Sequence, residues 1–218
     1  MKWTDKITVT NEDNMKLMAR CPDDYFDLAI VDPPYGLGKH NAIGNGDKRN
    51  GVAKNKIWIG GEWDNNKPSI IYFKELFRVS KHQIIWGGNY FTNLIPQSDK
   101  WLVWDKMQRI NQSDCELAWT SFIGALRIFK YHSSKLQGFM NPNRFHPTEK
   151  PVNLYKWLLQ NYAKENDKIL DTHLGSGSIA IACHELGFKL TACELDAEYY
   201  NASLKRFKLE TKQLRLDL

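Results

Sequence analysis

Two stretches of this chain carry residue types and spacings that could do chemistry. The first is Asp27 to Gly38, DLAIVDPPYGLG, in which a short apolar run, Leu28 to Val31, stops at Asp32-Pro33-Pro34-Tyr35. Two consecutive prolines fix their own φ, push the preceding residue out of the α region and supply no N–H. The backbone after the run is therefore stiff and extended, and its carbonyls are left free. A carboxylate, a rigid carbonyl and an exposed aromatic then fall within four residues at the carboxyl end of a strand, where open α/β sheets bind and transform ligands. The second stretch is DTHLGSGSIA, Asp171 to Ala180, which follows the apolar run Lys168 to Leu170. Its glycines allow a tight turn and close approach of a ligand to the backbone, and the helix that follows offers free N–H groups. Glu194 stands 19 residues after Gly175 (194 − 175), the spacing expected between a glycine turn and a ribose-binding acid. Strand, GxGxxA, helix, strand and acid together point to a nucleoside-containing cofactor.

These groups have to be carried to one place. Ile7 to Thr10 leads to Asp13, Leu28 to Val31 leads to Asp32, Lys168 to Leu170 leads to Asp171, and Leu190 to Cys193 leads to Glu194. Strands that end in carboxylates and alternate with helical patterns imply an α/β fold with a parallel sheet whose acidic ends share one edge. On its own, Asp13 reads as an N-terminal cap of the short helix Asn11 to Arg20. Helical spacing of apolar residues predicts further helices over Pro68 to Lys81 and Val152 to Lys164, and further strands are expected at Gln83 to Trp86, Lys100 to Asp105 and Cys115 to Phe122. Leu126 to Arg144 reads as irregular and polar. Trp86, Trp101, Trp104 and Trp119 are expected in the core or in a pocket wall.

The chain has 218 residues, one domain by length, and a net charge of +5. Between Gly36 and Gly60 five cations (Lys39, Lys48, Arg49, Lys54, Lys56) face one acid, Asp47, and between Leu204 and Leu218 five cations face two acids. Such patches suit a polyanion, although lysine-rich surfaces are also common on proteins that bind none. Residues 36–60 are rich in Gly, Asn and Lys and are expected to form a mobile basic loop that folds over the Asp32 turn. The four cysteines, Cys21, Cys115, Cys183 and Cys193, have no metal-ligand spacing, so reduced thiols and no metal are expected. No apolar run approaches the ~18 residues of a membrane span, and the N-terminus MKWTDKITVT lacks a signal-peptide apolar region. A soluble, cytoplasmic protein with no membrane partner is expected.

A nicotinamide dinucleotide and S-adenosylmethionine share the nucleoside logic of the glycine turn. The dinucleotide leaves Asp32-Pro33-Pro34-Tyr35 idle, whereas the methyl donor uses both stretches. DPPYG after an apolar strand, His146-Pro147-Thr148-Glu149-Lys150-Pro151, and DTHLGSG with ELDAEYYNAS downstream resemble the amino-methyltransferases that modify exocyclic amines of DNA bases. The order is the permuted, beta-class-like one, with the catalytic motif before the cofactor motif, and the resemblance covers nearly the whole chain. It implies a Rossmann-like, circularly permuted methyltransferase fold: a mostly parallel central sheet with helices on both faces, in a single domain over 1–218. Two departures stand out. Thr172-His173 replaces the usual Pro-Phe, and only about residues 124–145 are available as a target-recognition segment, which implies low sequence selectivity or a very short target.

Carried over by residue, the resemblance implies that Asp32, Pro33, Pro34 and Tyr35 are catalytic and that S-adenosylmethionine is the cofactor. Asp171, Gly175 and Gly177, with Ser176 and His173 in the same turn, would line the methionine and ribose side. Glu194 would accept from ribose hydroxyls, and Asp13 would sit by the adenine amino group. His146, Thr148 and Lys150 would close over the methionine part, Lys150 meeting its carboxylate. Lys39, Lys48, Arg49, Lys54, Lys56, Arg127, Lys130 and Arg144 would hold double-stranded DNA. The residue types of DPPY then have a reason. A base amine is a poor nucleophile until two fixed acceptors, the Asp32 carboxylate and the Pro33 carbonyl, take its hydrogens and turn its lone pair out of the base plane. The base must be flipped out of the duplex to reach them, with Tyr35 stacking on it. Asp32, where the related cytosine enzymes more often carry Ser, favours N6 of adenine over N4 of cytosine. The alternatives are N4-cytosine methylation, a dinucleotide-dependent oxidoreductase, and a non-catalytic nucleic-acid-binding protein. A homodimer and a restriction–modification setting are expected by analogy with the family alone.

Overall fold

The computed structural model describes residues 1–37, 67–107, 113–132, 146 and 148–212. Phe26–Val31 (β2) buries five of its six residues, as a strand covered on both faces requires. Leu28 and Ile30 join one apolar cluster and Ala29 and Val31 the other, the two-residue period of a pleated strand. Around β2 the sheet runs in the order β1-β8-β7-β2-β3-β5-β4-β6, where β1 is Ile7–Asn11, β3 Ser80–Trp86, β4 Trp101–Asp105, β5 Cys115–Thr120, β6 Arg127–Lys130, β7 Lys168–Asp171 and β8 Lys189–Glu194. Neighbours from β1 to β3 are parallel. β5 is antiparallel to both β3 and β4, and β6 is parallel to β4. Seven of these strands therefore point one way and β5 points the other.

Helices cover both faces. α1 (Asn14–Ala19) and α2 (Ile70–Val79) supply Leu17, Met18, Tyr72, Phe73, Leu76 and Val79 to one cluster. α3 (Val152–Tyr162) and α4 (Ser178–Leu186) pack on the other face with α5 (Ala197–Lys212), whose Phe207 reaches the core. Two helix starts show how local sequence sets the entry to a helix. Asp13 Oδ1 accepts from the backbone N–H of Met15 (3.0 Å) and Lys16 (3.2 Å), and Gly177 enters α4 at φ +79°. A Cβ on Gly177 would also lie 3.1 Å from Ser203 Cβ of α5, so the glycine sets how closely α4 and α5 approach. No helix among the described residues is long and apolar enough to cross a membrane.

The expected α/β architecture, with a mostly parallel sheet and helices on both faces, is the one observed. Two local expectations are corrected. The stretch read as irregular from Leu126 contains β6, RIFK, two apolar residues between two cations, which gains its ladder from β4. β3 begins at Ser80 rather than Gln83 because α2 runs into it without a loop, with Ser80 closing the helix. Trp86, Trp104 and Trp119 are buried, as expected.

Candidate active site

Because seven strands share a direction, their carboxyl ends bring Asn11, Asp105, Lys130, Asp171 and Glu194 to one edge, together with the turn that begins at Asp32. A cleft of about 740 Å³ opens there, within the range of small-molecule sites. Its walls include Asp13 and Asn14 after β1, all four residues of Asp32-Pro33-Pro34-Tyr35 after β2, and Gly87, Asn89 and Tyr90 after β3. His146, Thr148 and Lys150 contribute from the approach to α3, His173, Gly175 and Ser176 from the turn after β7, and Glu194 from the end of β8. The residues singled out from two distant stretches of sequence thus face one space. Asp171 and Gly177 lie behind it: Asp171 is 2% exposed and its Oδ1 accepts the backbone N–H of His173 at 3.0 Å. Lys130 ends β6 at the cleft's edge of the sheet, whereas Arg127 opens β6 toward the opposite edge, paired with Leu102. That position sets Arg127, read as a DNA-holding cation, at the edge of the sheet away from the cleft. Lys39, Lys48, Arg49, Lys54, Lys56, Arg144 and most of the expected basic loop lie outside the described residues.

Asp32 is engaged on both oxygens. The Tyr35 hydroxyl donates to Oδ1 at 2.7 Å, and the Lys150 ammonium pairs with Oδ2. Lys150, read as meeting a cofactor carboxylate, lines the cleft, is 3% exposed and is held between Asp32 and Glu116, the latter at 3.1 Å, because β5 runs against its neighbours and starts, rather than ends, at the cleft. Lys106 completes the row, its Nζ 2.7 Å from Glu116 Oε1. Burial pushes the Asp32 carboxyl above the usual range despite the neighbouring Lys150 charge. Burial acts the same way on Glu116, but the Lys150 and Lys106 ammonium groups outweigh it and hold that carboxyl below its ordinary value. Glu116, Lys106, Tyr72, Tyr90 and Tyr155 were all missed by sequence reasoning, yet all line the cleft.

The Tyr35 ring stacks on Tyr90 with centroids 4.9 Å apart and planes 17° from parallel. Its edge leans on Gly87, at φ +66°, where a Cβ would fall 2.1 Å from Tyr35 Cε1. Gly87→Ala is therefore expected to displace the ring and lose the Tyr35–Asp32 hydrogen bond. Overpacking of this kind costs about 1–3 kcal/mol, and a misplacement near 1 Å costs up to about a hundredfold in rate. Thermal melting with a rate measurement checks it, and a rate that falls only as far as the folded fraction falls would remove Tyr35 placement from the account.

On the glycine-turn side, Glu194 Oε2 accepts the Gly175 N–H at 2.8 Å and Oε1 the Asp196 N–H at 3.0 Å. Each oxygen keeps a further acceptor position. Asp13, read alone as a cap, both caps α1 and faces the cleft. His173 answers how a polar residue fits this turn: Asn14 Nδ2 lies 2.9 Å from its Nε2 and Thr172 Oγ1 lies 2.9 Å from its Nδ1. With the amide nitrogen donating, Nδ1 carries the proton, and burial lowers the imidazole pKa to about 4. The ring is neutral at pH 7. Burial also raises the Asp171 carboxyl to about 8.

Residues 85–205, just over half of the chain, match a family model described as DNA methylase. The matched stretch takes in Glu116, Lys150, the glycine turn and Glu194. The Type II methyltransferase M2.DpnII of Streptococcus pneumoniae is 21% identical over 257 aligned residues, covering 95% of this chain and 91% of that protein. Among solved structures, the M1.HpyAVI–SAM complex superposes with a TM-score of 0.62 at 17% identity, covering 92% of this chain and 99% of that one. The PvuII DNA methyltransferase, described as cytosine-N4-specific, superposes with a TM-score of 0.64 at 13% identity, covering 94% and 86%. The two superpositions establish a shared fold.

Proposed function

As this chain belongs to the DNA methylase family, we propose that it transfers a methyl group from S-adenosylmethionine to the exocyclic N6 amine of adenine in DNA. The observation that carries this reading is the opening of Asp32-Pro33-Pro34-Tyr35 into the same cleft as the Gly175 turn and Glu194. A nucleophile-binding turn and a nucleoside-binding turn have no reason to share a space unless their ligands react with one another.

The cleft walls fit the methyl donor. A side chain on the Gly175 turn would crowd the cleft wall, since a Cβ there would stand 3.3 Å from His146 Nε2 at a φ of +53°, and the fixed Glu194 carboxylate suits a diol. In this reading Glu194 holds the ribose hydroxyls, Asp13 faces the adenine amino group, and Gly175, Ser176 and Thr148 border the methionine part, while Gly177, behind the wall, shapes the turn. When bound, S-adenosylmethionine supplies an electrophilic methyl group on a positively charged sulfur. The chain does the rest. Pro33 and Pro34 keep the Asp32 carboxylate and the Pro33 carbonyl in fixed relation, so that each accepts one amine N–H and the nitrogen lone pair turns out of the base plane. Asp32 then takes the proton that the nitrogen sheds. Tyr35, already backed by Tyr90, offers its other face to a flipped base. Lys130 and the cations outside the described residues would hold phosphates, a term that weakens with salt.

The test is transfer of labelled methyl from S-adenosylmethionine to unmethylated duplex DNA, followed by mass spectrometry of the digested nucleosides and long-read mapping of modified positions. N6-methyladenine spread over many short contexts is expected. N4-methylcytosine alone would transfer the assignment to cytosine, one extended recognition site would overturn the expectation of low selectivity, and DNA left unmodified would end the reading.

A further inference from the structure

Asn14, His173, Thr172 and Tyr72 all line the cleft and form a polar row along its wall. Asn14 Nδ2 stands 2.9 Å from His173 Nε2, His173 Nδ1 stands 2.9 Å from Thr172 Oγ1, and Thr172 Oγ1 stands 2.7 Å from the Tyr72 hydroxyl oxygen. The row starts on α1, crosses the turn after β7 and ends on α2. Tyr72 is 3% exposed, and its ring sits at 67° to His173 with centroids 5.3 Å apart and at 75° to Phe73 with centroids 5.1 Å apart. The hydroxyl is therefore placed by packing before any ligand arrives.

Counting hydrogens gives the row a direction and a remainder. The Asn14 amide nitrogen donates only, so Nε2 accepts and Nδ1 carries the one proton of the neutral ring. Nδ1 then donates to Thr172. Beyond Asn14 the row holds three hydrogens, on Nδ1, Thr172 and Tyr72, but only two gaps, and each gap takes one. Neither hydroxyl has another partner among the described residues, so one hydrogen is left over. Hydroxyls that accept and donate in sequence strengthen one another, which sends the Thr172 hydrogen to the Tyr72 oxygen. The phenol, the more acidic hydroxyl and the better donor, keeps the surplus hydrogen at the end of the row. Burial holds the Tyr72 hydroxyl above its ordinary pKa, so that hydrogen stays in place at neutral pH.

We propose that Tyr72 is a binding residue for the methyl donor, its hydroxyl donating to a ring nitrogen of the donor's adenine. This rests on the methyl-transfer reading above. Asp13, the residue before Asn14, is the acceptor assigned there to the adenine amine, and its charge is felt at His173. An acceptor and a donor on one wall match a ring that carries an amine and unprotonated nitrogens together. An Asn14 side chain turned over, with its oxygen toward Nε2, would reverse every bond and use every hydrogen within the row. The two arrangements differ in which ring nitrogen of His173 is protonated, and that difference can be measured.

The experiment titrates S-adenosylhomocysteine, the unreactive product of methyl transfer, and its analogues with N1, N3 or N7 replaced by C–H, against the wild type and Tyr72→Phe in the absence of DNA. In the wild type one analogue is expected to bind about 10-fold more weakly than S-adenosylhomocysteine. In Tyr72→Phe that gap is expected to close, with S-adenosylhomocysteine itself weakened by a similar factor. Imidazole nitrogen chemical shifts, assigned to His173 by their loss in His173→Phe, are expected to place the proton on Nδ1. Three analogues that bind the wild type as tightly as the parent, a gap that persists in Tyr72→Phe, or a proton on Nε2 would overturn the proposal. If Tyr72→Phe does not fold, the wild-type series and the ring proton decide. Failure of S-adenosylhomocysteine to bind the wild type at all is a separate outcome, which ends the methyl-transfer reading itself.

Discussion

Asp32→Ala is expected to slow methyl transfer by a factor of about 10² to 10³ while S-adenosylmethionine binding stays near the wild-type value. In the proposed mechanism the carboxylate is one of the two acceptors that turn the amine lone pair toward the donor, and the Pro33 carbonyl would be left as the other. The variant also frees the Tyr35 hydroxyl from its bond to Oδ1, so the base-stacking ring loses a tether. The fold is expected to survive, because Lys150 keeps Glu116 as a partner and is not left as an isolated buried charge. The groups assigned to the nucleoside, Glu194 and Asp13, come from other strands and make no contact that depends on Asp32. Single-turnover rates beside equilibrium dialysis make the check. Retention of the full rate would remove Asp32 from the chemistry, and loss of cofactor binding in step with rate would make it a wall of the cofactor site.

Lys150→Met is expected to be the most destabilising single change at the site. It removes the cation shared by Asp32 and Glu116, both partly buried. Deleting one partner of a buried pair costs about 3–5 kcal/mol, which for a domain of this size corresponds to roughly 6–20 °C in Tm. The pH dependence follows from the sign of the shift. Burial already raises the Asp32 pKa, and without Lys150 it rises further, so the folded state holds a proton that the unfolded state has released. Stability then falls as pH rises from the ordinary carboxylate range toward the raised folded value. The deficit relative to wild type should be greatest at and above neutral pH and smallest in acid. Melting curves from pH 4 to pH 8 test this; a deficit that does not vary with pH would place the loss in packing rather than charge.

Much of the site was legible because one rule generates it: in a parallel sheet, residues that follow apolar strands gather at one edge. Asp13, Asp32, Asp171 and Glu194 all obey that rule, as do the Gly175 turn and the tyrosine after the prolines. Glu116 and Lys106 escaped it because β5 runs the other way. In CELAWT the acid precedes the buried residues instead of following them. The signal was nonetheless in the chain. Only residues 106–114 separate β4 from β5, too few for a crossover between parallel strands, which takes about a dozen or more. A reversal of direction there, and an acid at the start of the next strand, could have been read. β6 escaped for a different reason: four residues with two cations have no strand character until β4 supplies the ladder. The role of Lys150 was unreadable because its motif fixes its place in the chain and not which carboxylates converge on it.

The sheet order also governs when the molecule can come into being during synthesis. β1 pairs with β8 through Ile7 and Leu190, and β2 pairs with β7 through Leu28 and Ile169, contacts that span most of the polypeptide. Closing such loops is entropically costly and slow. On the ribosome the first strand has to wait for the last one, with the edge of β2 that pairs with β7 open in the meantime. The two walls of the cleft therefore arise together and late, and a nascent chain that has not yet delivered Glu194 holds the Asp32 turn without the wall that faces it.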